Sequence, residues 1–175
     1  MNIKEALLEE HSKEQMLLIA KYIGENEERL AELMEVFLKG EPKVQQRSAW
    51  ALYTTFEKYN LKKLILPYLA EMINLLDKPV HDAVVRNTVH IMEVVDIPTE
   101  LHGEAVDQCF KLLMDNNSPI AIKAFSMTVI YNVSQHFPEL KNELKLVIED
   151  LLPYASPGLR NRGGKILKKL CKEIE

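Results

Sequence analysis

Several things are scarce in this chain, and each shortage narrows what it can be. Two cysteines occur in 175 residues, Cys109 and Cys171, without the paired spacing of a zinc site or a disulfide framework. Both are expected to be reduced, buried thiols of a cytoplasmic protein. Aromatic residues make up only 7% of the chain, and Trp50 is the sole tryptophan. No apolar run approaches the roughly 20 residues that cross a bilayer, so no membrane partner is expected. The start, MNIKEALLEEHSKEQ, lacks the basic head and apolar centre of a signal peptide. No stretch is rich in Gly and Ser, so one continuous domain over residues 1–175 is expected. Strict apolar/polar alternation is missing, as are Asn-Gly and Asp-Gly hairpins between apolar runs, which argues against strands.

Catalytic signatures are missing too. There is no HExxH and no GxSxG, and neither cysteine has a histidine close in sequence. His81 and His90, nine residues apart, fall on opposite sides of a helix. Gly163-Gly164 lies far from P-loop spacing and reads as close helix packing. No catalytic, metal or cofactor residues are therefore nominated, and no cofactor is expected.

What is present is a repeat. VQQRSAWAL from Val44, AVVRNTVHI from Ala83, IAIKAFSMT from Ile120 and LRNRGGKIL from Leu159 share one register. Each has a basic residue at the fourth place: Arg47, Arg86, Lys123 and Arg162, spaced 39, 37 and 39 residues apart. Pro42, Pro79, Pro119 and Pro157 precede the four runs and read as first-turn prolines, where no hydrogen bond is lost. A fixed period of this size marks stacked helical units. The expected architecture is all-α, a right-handed α-α superhelix of about four helix pairs. Residues 1–26 form an N-terminal cap, and repeats follow at 27–61, 62–97, 98–137 and 138–175. Ser12 with Gln15 reads as a capping box and Gly24 as a helix end. Thr99 reads as an N-cap, and Pro67 should kink its helix or delay its start.

The basic ladder has two readings. As architecture, each stem lies along apolar neighbours and each head meets a carbonyl or an acid, with Glu41, Asn117 and Ser156 as candidate partners. As function, the four cations form a row for a polyanion or an acidic peptide. The second helices of the pairs supply a candidate binding face: Gln46, Arg47, Trp50, His81, Asp82, Arg86, Asn87, His90, Lys123 and Arg162. Net charge is −4 but uneven, with glutamates crowding the first third and Arg160 to Lys172 making the last helix basic. That basic helix reads as a solvated face and helix end, or as one pole of a surface that orients a partner or a second copy.

The period exceeds the tetratricopeptide value of about 34. A basic residue early in the second helix resembles HEAT and armadillo-like repeats. QRSAWAL, HDAVVRNTVHI, CFKLL, MTVI, PELKNEL, YIG and IEDLLPYAS together resemble one bacterial, Bacteroidetes-type family of HEAT-like proteins. The resemblance covers nearly the whole chain and implies a solenoid without an established activity. Members sometimes carry the label adenylosuccinate lyase, but the Ser-Ser-x-Met-Pro-x-Lys-x-Asn loop of that enzyme is not here.

The function expected is a non-catalytic scaffold that binds a protein or peptide on the concave face. The alternative is nucleic-acid binding, or glycosylase-like work on DNA in a basic groove. Duplex affinity rests on phosphate neutralisation by Lys and Arg, and a net acidic chain speaks against it.

Overall fold

The structure, a computed structural model, describes residues 1–174. Among them are ten α-helices: α1 (Ile3–Glu9), α2 (Lys13–Ile23), α3 (Glu27–Lys39), α4 (Pro42–Lys58), α5 (Leu69–Leu75), α6 (Asp82–Val94), α7 (His102–Met114), α8 (Ile120–Val133), α9 (Glu139–Leu151) and α10 (Pro157–Ile174). Short 3-10 turns occupy Leu66–Tyr68, Thr99–Leu101 and Leu152–Tyr154, and the described residues contain no strand. No helix among them is long and apolar enough to cross a membrane.

The chain divides into two compact units, Met1–Ile97 and Pro98–Glu175. In the first, Leu7, Met16, Ile19, Leu33, Phe37 and Leu52 are fully buried, so α1 to α4 close over one apolar interior. In the second, Cys109, Leu113, Met127, Ile130, Ile148 and Leu170 do the same for α7 to α10. In each unit one amphipathic helix hides its apolar stripe against the next, which an isolated helix in water cannot do.

The capping chemistry follows the residues, with some departures from expectation. Ser12 Oγ accepts the Gln15 N–H at 3.1 Å and opens α2. The Gln15 side chain does not complete a capping box. It turns inward and donates to the Ala6 carbonyl at 2.7 Å, one of the last carbonyls of α1 that lack a partner within their own helix. Gly24 closes α2 at φ +53°, where a side chain would be strained, and its N–H returns to the Ala20 carbonyl. Asn26 Oδ1 caps α3 through the Arg29 N–H at 2.9 Å.

Prolines account for the other departures. Pro42 and Pro157 take the first position of α4 and α10, and Pro119 caps α8. Pro79 does not begin a helix: α6 starts three residues later, capped by His81. Pro67 delays its helix, leaving a 3-10 turn before a short α5. Thr99 is no N-cap either, since Pro98 leads directly into a 3-10 turn and α7 begins at His102.

Candidate functional site

Although the four ladder residues share a register, the structure gives them four different surroundings. Arg47, half-buried on α4, donates to the Leu7 carbonyl at 2.8 Å and the Leu8 carbonyl at 3.2 Å. It therefore fastens the C-terminal end of α1, where carbonyls lack helical partners. Arg86, on α6, is exposed. Lys123 is buried on α8. Arg162 is half-buried on α10 and donates to Thr128 Oγ1 at 2.8 Å. Arg47 and Arg162 thus each reach an acceptor on a neighbouring helix, Leu7 and Leu8 of α1 or Thr128 of α8, which spacing within one turn does not point to.

Two other nominated residues also serve structure. Asn87 is only 2% exposed, and its amide donates to the Ala49 carbonyl. Lys123, like Asn87, has little surface to offer a partner. His81 is exposed and spends its Nδ1 on the Ala83 N–H at 3.1 Å, capping α6, with Asp82 in the first turn. Gln46 remains half-buried on α4. Among the described residues no three His, Cys, Asp or Glu side chains converge as a metal site requires.

The structure assembles a row of rings in the first unit. Trp50 is half-buried, and the His11 ring meets it edge-on at 5.1 Å between centroids. Three residues on, Tyr53 of α4 faces His90 of α6 at 5.3 Å. The Tyr53 hydroxyl donates to Glu57 Oε1, and that bond to a carboxylate, with lesser burial, raises the Tyr53 pKa. Trp50, Tyr53, Thr54, Glu57 and Lys58 of α4, with Lys13 and Leu17 of α2, line a groove of about 710 Å³. It offers two rings, an apolar side chain and charges of both signs.

A second groove, of about 590 Å³, lies between α8 and α10 in the second unit. Its walls are Thr128, Tyr131 and Asn132 from α8, and Arg162, Lys165, Ile166, Lys168, Lys169 and Lys172 from α10. Tyr131 is fixed at one end: its hydroxyl donates to Glu173 Oε1 at 2.6 Å, and the Lys169 ammonium stands 5.1 Å from its ring centroid. Lys141 and Gln135 also hold the Glu173 carboxylate, at 2.9 and 3.2 Å.

Tyr53 and Tyr131 both belong to second helices, where the register places candidate contacts. The groove lysines were absent from the candidate face, although Lys165, Lys169 and Lys172 follow Arg162 at three, seven and ten places, a one-face helical spacing. That spacing was a readable signal.

A family model described as HEAT repeat domain matches residues 3–170. Neither the curated proteins nor the solved structures yielded a match.

Proposed function

This chain belongs to the HEAT repeat family, and on that premise we propose that it is a non-catalytic module that binds a protein or peptide segment along its second helices. The observation that carries this reading is the Trp50–Tyr53 groove between α2 and α4. Large rings that are half-buried supply much contact area at low entropic cost, and they dominate binding energy where a partner covers them. Glu57, Lys13 and Lys58 supply a polar rim that fixes register. The family supports the general role, since repeats of this kind commonly serve as scaffolds for interaction. Both thiols are free, Cys109 buried and Cys171 half-buried, which fits a reducing, cytoplasmic setting.

Site-specific photo-crosslinking tests the reading. A photoreactive residue at Thr54, beside the rings, should capture one discrete protein partner. The capture should be lost when Trp50→Ala is added, and the same probe at Glu32 on the outer side of α3 should capture nothing comparable. Equal capture at both positions, or recovery of nucleic acid in a salt-sensitive way, would overturn it.

A further inference from the structure

We propose that the groove between α8 and α10 is a separate binding site for an acidic peptide segment with apolar residues interspersed among its carboxylates. The first argument is charge. Arg162, Lys165, Lys168, Lys169 and Lys172 line the groove, and no acidic side chain among the described residues does. Five cations side by side repel one another, and an anionic occupant relieves that repulsion. From Arg162 to Lys172 the stripe runs about 15 Å along the helix, the length of about five residues of extended peptide. An extended peptide turns alternate side chains to one side about 7 Å apart, so two or three carboxylates meet the cations together.

The second argument is the floor. Ile166, the Tyr131 ring and the lysine stems give the groove an apolar base beneath its charged rim. An acidic peptide with leucine-like residues between its carboxylates uses both. A nucleic-acid strand uses the rim alone. Its bases need open ring faces for stacking, and the one ring in the groove already has the Lys169 ammonium near its face. The net charge of −4 on the whole chain opposes a long polyanion more than a short segment.

The third argument is preorganisation. Arg162 is held by Thr128 and Tyr131 by Glu173, so two of the contact groups are positioned before anything binds. Lys141 is committed to Glu173 and lies outside the groove lining, which sets the end of the site.

The probe is a fluorescein-labelled peptide of about ten residues with Glu and Leu alternating, long enough to overrun the stripe. Its polarisation is followed with the full chain, beside a Lys/Leu peptide and an oligothymidylate strand. The acidic peptide should bind saturably and weaken with salt, and the Lys/Leu peptide should not bind. Lys169→Glu with Lys172→Glu should weaken it about tenfold or more, with helical content by circular dichroism unchanged. Lys62→Glu with Lys63→Glu, exposed and in the other unit, should leave it unchanged. Three results overturn the proposal: no saturable binding, oligothymidylate binding as tight as the acidic peptide, or equal loss in the Lys62/Lys63 variant. Trp50→Ala should bind the probe as the parent does, so this site and the ring groove fail or stand independently.

Discussion

The Asn87 amide donates to the Ala49 carbonyl at 2.7 Å from inside the core of the first unit, joining α6 to α4 through a polar contact that water does not reach. A buried hydrogen bond of this kind contributes about 1 kcal/mol net, and an acceptor left with one partner fewer adds to the loss. Asn87→Ala removes both the donor and packed volume, and should lower stability by about 1–3 kcal/mol. Trp50 adjoins Ala49 and is the only tryptophan, so its fluorescence reports urea unfolding of this contact directly. An unmoved midpoint would show that the bond contributes nothing net.

Arg47 makes a related prediction at the surface of the same unit. Its guanidinium serves the Leu7 and Leu8 carbonyls, and α1 is only seven residues long. Arg47→Ala should cost about 1–2 kcal/mol. Its more specific signature is faster amide exchange confined to Ile3–Glu9, with the rest of the unit nearly unchanged. Uniform acceleration across α2 to α4 would contradict a local fastening role.

Two adjacent glycines on α10 should respond in opposite ways. A methyl group at Gly164 meets nothing within 4 Å, so Gly164→Ala should gain up to about 1 kcal/mol of helix propensity. A methyl group at Gly163 would sit 3.0 Å from Leu152 Cδ2 and 3.3 Å from Ile148 Cγ2. Crowding there should erase or reverse the gain. Thermal melts decide the matter: Gly163→Ala melting at or above Gly164→Ala would refute it.

The Glu173 clamp predicts a dependence on pH. Tyr131 first, then Lys141, hold the Glu173 carboxyl down to about 2 from 4.5. A depressed folded pKa means that this stabilisation is complete above about 4.5 and is lost as pH falls toward about 2. Burial first, and the hydrogen bond to Glu173 second, push the Tyr131 phenol up to about 12. Its contribution is therefore complete below 10 and is lost as pH rises through about 12. The carboxylate is partly in water, so the effect is small. Glu173→Gln should show a shallower fall in melting temperature than the parent between pH 4.5 and 2, and parallel curves would sink the idea.

The two thiols should separate in reactivity. Burial pushes the Cys109 thiol up to about 12, with the nearby Ser126 hydroxyl acting weakly in the opposite direction, whereas Cys171 is half-buried. Titration with a disulfide reagent should modify Cys171 in the native protein and both thiols in urea. Prompt native modification of both would contradict the packing around Cys109.

Much of the fold was legible because it depends on local chemistry. Ser12, Gly24 and Pro42 act through neighbours three or four places away, and the apolar periodicity selects helices throughout. Asn26 is equally local, an amide ahead of an acidic first turn. The ladder was harder. Register assigns Arg47, Arg86, Lys123 and Arg162 to equivalent positions, but each cation's fate depends on which neighbouring helix supplies an acceptor. For Arg47 the acceptors lie about forty residues earlier, at Leu7 and Leu8. Likewise, the spacing of the α10 lysines was readable. Their meeting with Tyr131 was not, because it arises only when α8 packs on α10.

Along α10 the residues that pack and the residues that line the groove interleave. Leu159, Gly163 and Leu170 face the interior, while Lys165, Lys168, Lys169 and Lys172 point away. Substitutions in the second set leave the first untouched. Descendants of this chain can therefore reverse the sign of that surface, and with it the company the protein keeps, while inheriting the same interior.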